Sequence, residues 1–236
     1  MATRKRFLIL ILIVILFSLQ IAARESKPGS QDDTYQPRDY SMVSIEIVRE
    51  TLNKPVKLKT VRVRLVKADG QWKEAIVGRD GRIILYWAKP DGVYLGEPDN
   101  LYLTRKFIKP PSLFHSVKFL RSHKQFVREE SILGYRAFVL RNEREEGNYT
   151  EAYMSPEFGI TPVKKVTRLP GVQEHVTEAV RLEFTEITDK MLNDASLLWI
   201  KTYLAQAIVA VEKQGRKELI DDLKQIQLKL QTRIKK

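Results

Sequence analysis

Apolar and polar residues alternate through the middle of the chain. In "SMVSIEIV" Val43, Ile45 and Ile47 fall on one side, and in "VRVRLVK" Val61, Val63 and Leu65 face away from Arg62 and Arg64. A period of two marks strands with one buried face. "SILGYRAFVLRNE", "NYTEAYMS", "GITPVKKVTRL" and "HVTEAVRLEFTEI" continue the texture; in the last, Val180, Leu182 and Phe184 alternate against Arg181, Glu183 and Thr185. One helical stretch interrupts: Leu113, Val117 and Leu120 follow Ser112, which is placed to act as an N-cap after Pro110-Pro111. At Lys190 the period changes. Leu197, Ile200, Leu204, Ile208 and Val211 recur at helical spacing, and beyond Gly215 so do Leu219, Leu223, Ile226 and Leu230. The fold class predicted is α+β, a strongly curved antiparallel sheet of about eight to ten strands with a short helix and a C-terminal helical pair.

Asp-Gly occurs three times at a spacing of eleven residues, at Asp69–Gly70, Asp80–Gly81 and Asp91–Gly92. Between alternating runs this dipeptide signals a tight hairpin. With two-residue turns at the first two pairs, Ile76 lies opposite Val63 and Leu85, and Glu74 lies between Leu65 and Trp87. One face then collects Val61, Val63, Leu65, Ile76, Ile83, Leu85 and Trp87, and the other Arg62, Arg64, Ala75, Val77, Ile84 and Tyr86. Glu74 is the odd polar group on the first face, either a cavity rim or a sign that the register differs there. Both faces lean apolar, so one is covered and the other binds something or packs a helix. The expected ligand-binding residues are Ile76, Leu85, Trp87, Glu74, Tyr86 and Arg64. A calcium repeat does not fit, because each turn offers one Asp beside Lys, Arg or Pro, where calcium needs several converging carboxylates.

The start of the chain has the order of an export signal. Arg4-Lys5-Arg6 precedes the 17-residue run "FLILILIVILFSLQIAA", which is either cleaved after Ala23 or kept as an inner-membrane anchor over residues 7–23. Basic residues before the run place the body outside the cytoplasm, in the periplasm or its equivalent. Residues 24–40 are polar and rich in turn formers, a flexible linker; 41–188 form the β domain and 189–236 the helical segment.

Composition narrows the chemistry. Without cysteine there are no disulfides, thiolate metal sites, cysteine nucleophiles or lipid-attachment cysteine. His115 and His123 are too far apart along a helix to share a metal, and no nucleophile elbow, zinc-protease, P-loop or dinucleotide motif is present. No catalytic residue, metal or cofactor is predicted. A net charge of +12 suits an anionic membrane face or envelope polymer; nucleic acid is not expected for an exported chain without a recognition motif.

"ILGYRAFVLR" followed by "EAYMSPEFGITPVKKV" resembles the LolA/LolB/RseB superfamily of outer-membrane lipoprotein carriers and envelope-stress sensors. Gly134 opens the pattern, Tyr153 lies in the second strand, and Pro156-Glu157-Phe158-Gly159 with Pro162 and Lys164 forms the turn. Ser155 stands where an Asp is common, and Thr161 separates Ile160 from Pro162. The resemblance implies a half-barrel with a concave apolar face covered by helices and able to hold acyl chains. The function expected is an exported, non-catalytic binding or carrier protein for a lipid-like, acylated or lipoprotein ligand. The alternative is an envelope interaction or sensor module whose Leu219–Leu230 helix binds a protein partner.

Overall fold

Two antiparallel meanders meet where the ends of the domain pair. The first runs β1 (Tyr40–Arg49), β2 (Lys57–Val66), β3 (Trp72–Gly78), β4 (Ile83–Lys89), β5 (Gly92–Glu97) and β6 (Asn100–Lys106). The second runs β7 (Phe126–Ile132), β8 (Tyr135–Glu143), β9 (Tyr149–Met154), β10 (Pro162–Arg168) and β11 (Glu174–Phe184). Pairing of β1 with β11 joins them into one open sheet of 11 strands, ordered β6-β5-β4-β3-β2-β1-β11-β10-β9-β8-β7. Register shifts interrupt β1, β5, β7 and β10, and such bulges bend and twist a sheet. The computed structural model describes residues 35–50, 56–106, 116–143, 147–159, 161–169, 174–194 and 196–234. The expected signal segment, most of the expected linker, and Ser112 and His115 lie outside the described residues.

The first two Asp-Gly hairpins differ from the expected geometry by one residue. Lys67 N–H donates to Gln71 O (2.8 Å) and Gly70 N–H to Lys67 O (3.0 Å), so the loop is the three residues Ala68-Asp69-Gly70. Arg79-Asp80-Gly81 repeats this between Gly78 and Arg82. Gly70 and Gly81 have φ of 94° and 80° while their aspartates do not enter the left-handed region, the pattern of a type I turn closed by a glycine bulge. Each aspartate holds its loop through Oδ1, which accepts the N–H two residues on, from Gln71 (2.9 Å) and Arg82 (3.0 Å). In the third pair, Pro90-Asp91 is the loop and Gly92 is already in β5. There a Cβ would stand 2.3 Å from the Arg105 carbonyl.

The extra loop residue turns β3 over. Val63 pairs with Ala75 and Leu65 with Lys73, while Arg64 pairs with Glu74 and Arg62 with Ile76. Ala75, Val77, Ile83 and Leu85 therefore join Val61, Val63 and Leu65 on one face. This face receives the tail: α2 (Asp189–Asn193), α3 (Leu198–Lys213) and α4 (Ile220–Ile234), with a 3₁₀ turn at Lys217–Leu219. Ile200, Leu204, Ala207 and Val211 of α3 and Leu223, Ile226 and Leu230 of α4 are fully buried in one core with the sheet. Polar contacts tie it down at several points, including Arg79 to Asp222 (2.6 Å), Lys67 to Asp189 (2.7 Å) and Arg216 to Glu178.

The other face carries α1 (Val117–Ser122), capped by Ser116, whose side chain accepts from Phe119 N–H. Val117 and Leu120 pack there on Phe138 and Met154. Among the described residues no helix is long and apolar enough to cross a membrane.

Candidate ligand cavity on the second sheet face

Residues paired directly across a sheet project to the same side, so the second face can be read in rows. Tyr86, Glu74, Arg64, Met42 and Leu182 form one row across β4, β3, β2, β1 and β11. On one side of it lies an aromatic row, Trp72, Val66, Tyr40 and Phe184. On the other side come Ile84, Ile76, Arg62 and Ser44, and then Thr60, Glu46, Thr177 and Lys165. Lys165 pairs with Ala152 and Ala152 with Leu140, both packed against the α1 cluster. The rows and α1 thus share a face.

A cavity of about 380 Å³ opens across these rows. Its apolar end is built by Tyr40, Met42, Val66, Trp72 and Phe158. Tyr40 stands edge-on to Phe158 with ring centroids 5.1 Å apart, and its hydroxyl donates to the Phe158 carbonyl (2.8 Å). Burial pushes the Tyr40 hydroxyl pKa upward, so it remains a neutral donor at neutral pH. Phe158 reaches the cavity because the 3₁₀ turn Pro156–Phe158, between β9 and β10, directs it inward at 1% exposure.

The floor of the cavity is charged. Arg64 donates to the buried Glu74 carboxylate (3.0 Å) and to Thr161 Oγ1, and its guanidinium stacks 4.8 Å from the Trp72 ring. Arg62 contacts Glu46 at 3.4 Å, and Glu46 also accepts from Thr60 (2.8 Å). The Nε–H groups of both arginines are buried without a partner among the described residues. A second cavity of about 330 Å³ adjoins along the same face and shares Arg62, Lys165 and Thr177 with the first. The two form a groove graded from aromatic to cationic.

Of the six residues expected to bind ligand, Arg64 and Glu74 line this cavity. Ile76 and Tyr86 sit on the same face beside them, paired to Arg62 and Glu74. Leu85 and Trp87 do not join them. Both lie on the tail face, where Leu85 is 4% exposed and Trp87 stacks against Lys73 with 5.0 Å between ammonium and ring. Placing Ile76 with Leu85 and Trp87 is corrected by the three-residue loops, because a shift of one in register moves every side chain of β3 to the opposite face. The same correction explains Glu74, which is the partner of Arg64.

Solved structures with a similar arrangement include the complex of MucA and MucB from Pseudomonas aeruginosa, at 14% identity and a TM-score of 0.41 over 69% of this chain. The chain spans 58% of the length of that matched chain. A LolA superfamily protein from Nitrosomonas europaea matches at 13% identity and a TM-score of 0.34, covering 69% of this chain and 94% of the other. Lipoprotein LppX from Mycobacterium tuberculosis matches at 10% identity and a TM-score of 0.32, covering 63% and 89%. These likenesses are distant and concern the fold. No family model and no curated protein matches the sequence.

The cavity residues absent from the sequence expectation are Tyr40, Met42 and Ser44 on β1, Arg62, Val66 and Trp72 on β2 and β3, and Phe158, Thr161, Pro162, Lys165 and Thr177 from the second meander. Phe158 and Thr161 belong to the "PEFGIT" turn, the one local signal that could have pointed to them.

Proposed function

We propose that the chain is an exported, non-catalytic binding or carrier protein of the cell envelope. In this reading the apolar part of a lipid-like or acylated ligand occupies the cavity of the second face. The supporting observation is the aromatic end of that cavity, where Tyr40, Met42, Val66, Trp72 and Phe158 border open space. The opposite apolar face is filled by the chain's own helices. A few hundred Å³ is the usual scale of a small-ligand site, and α1 supplies a cover at one end of the same face. The basic-then-apolar order of residues 4–23 supports export.

The Leu219–Leu230 helix is not retained as a partner arm. Leu219, Leu223, Ile226 and Leu230 are each fully buried within the chain.

The three tryptophans offer a direct test. Trp72 lies on the cavity face, whereas Trp87 and Trp199 flank Lys73 on the tail face. A monoacylglycerol brominated along its chain should quench part of the fluorescence in the full chain, and Trp72→Phe should abolish that quenching. Gentle purification followed by solvent extraction should recover bound lipid. Absence of lipid together with no quenching, or quenching that survives Trp72→Phe, would overturn the reading.

A further inference from the structure

The polar end of the groove has a chemistry that the acyl part of a ligand does not need. Lys165 projects from β10 into both cavities and has no ion pair or hydrogen bond among the described residues. Arg62, which lines both cavities beside it, spends one Nη on a 3.4 Å contact with Glu46 and leaves its buried Nε–H unpartnered. Arg64 has a second buried, unpartnered Nε–H behind it. Thr177 adds a hydroxyl common to both cavities, and Thr167 and His175 border the far one. Against these cations stand two carboxylates. Glu74 is held by Arg64 at 3.0 Å, and Glu46 is shared between Thr60 and Arg62. Buried N–H donors without acceptors are uncommon in folded proteins and call for an explanation. A guanidinium with a free edge next to an unpaired ammonium suits an oxyanion.

Resting on the carrier reading above, we propose that Arg62 and Lys165 bind the anionic head, phosphate or carboxylate, of an amphiphile whose chain extends toward Trp72 and Phe158. The grading of the rows sets the direction: head over Arg62 and Lys165, chain over Met42 and Tyr40. Glu46 then acts as the displaceable occupant, holding Arg62 until an oxyanion takes its place. Headgroup selectivity then resides in this junction.

The test compares n-dodecyl phosphate, n-dodecyl maltoside and inorganic phosphate as ligands of the full chain, by titration calorimetry below micelle formation. Dodecyl phosphate is expected to bind about tenfold or more tightly than the maltoside, since charge-assisted hydrogen bonds distinguish the two heads. Lys165→Gln, at an exposed position, and Arg62→Gln should each bring the ratio toward unity. Lys224→Gln on the exposed side of α4 removes the same charge elsewhere and should keep the ratio. Equal affinities in the unmodified chain, or a ratio preserved in both groove variants, would overturn the headgroup assignment while leaving the carrier reading standing. An equal loss in Lys224→Gln would overturn it in favour of general charge attraction. Inorganic phosphate binding as tightly as dodecyl phosphate would overturn it in favour of a free-anion site. If neither dodecyl compound binds, the carrier reading itself fails, and the headgroup assignment with it.

Discussion

Glu151 holds three strands together near the β7 edge of the sheet. Its carboxylate accepts from Arg128 at 2.9 Å, from Arg141 at 2.6 Å and from the Tyr153 hydroxyl at 2.9 Å, while its side chain is 5% exposed. The hydrogen bonds from Arg128, with those of Arg141 and Tyr153, outweigh burial and lower its pKa from 4.5 to about 2. Burial and the carboxylate push Tyr153 the other way, to about 12. A carboxyl whose folded pKa lies below its unfolded one stabilises the fold fully above the unfolded value. That stability is lost as pH falls from about 5 toward 2. Glu151→Gln should therefore cost about 2 kcal/mol at pH 7 and flatten the acid limb of stability over that window, measured by urea unfolding at a series of pH values. An unchanged acid limb in the variant would show that other carboxylates set it. None of this was legible in the sequence, where Glu151 is one acid in an alternating strand and its arginines lie 23 and 10 residues away.

At the scale of elements, what could be read depended on whether a property stays inside one strand. The two sides of "VRVRLVK" were readable because alternation within a strand does not depend on the turn. Pairing was not, since a three-residue loop in place of a two-residue one reverses the neighbour's faces. Glu74 among apolar residues was the local clue, and it resolves once Arg64 becomes its partner. The two-residue turn with both φ positive, expected at the first two Asp-Gly pairs, occurs instead at Leu133-Gly134. Ile132 pairs with Tyr135 across it, and both loop residues have positive φ, 52° and 83°, the geometry of a type I′ turn. "SILGYRAFVLRNE" is thus part of a hairpin rather than one strand. Leucine is poorly suited to the left-handed region, and here its side chain is 43% exposed, so little packing compensates. Leu133→Asn should stabilise the protein by about 0.5–1 kcal/mol, because asparagine tolerates that conformation. A rise in urea midpoint with unchanged slope would show it; a fall would mean that Leu133 contributes packing after all.

At the scale of the whole molecule, the cavity exists because residues far apart in sequence are brought together. Tyr40 meets Phe184 and Val66 across β1, and Thr161 reaches Arg64 from the second meander. No local pattern encodes the β1–β11 pairing, which is why Met42, Lys165 and Thr177 are absent from the expected site although their strands were expected; Tyr40, placed in the expected linker, is instead the first residue of β1 and is buried. The helical tail was legible as amphipathic, but whether its seam faces its own sheet or a partner depends on the same long-range assembly. The seam faces the sheet, and that makes a sharp contrast available on one helix. Leu223 of α4 is fully buried, whereas Leu228, five residues on, is 65% exposed. Leu223→Ala removes packing from the common core and should cost about 3 kcal/mol, while Leu228→Ala should stay within about 0.5 kcal/mol. Truncation after residue 197 should give an aggregating chain, since Val61, Val63, Leu65 and Leu85 lose their cover together. If the truncated chain instead stays monomeric and folded, and Leu223→Ala is neutral, the tail is an appendage rather than half of the core. Binding on the cavity face should then survive its removal.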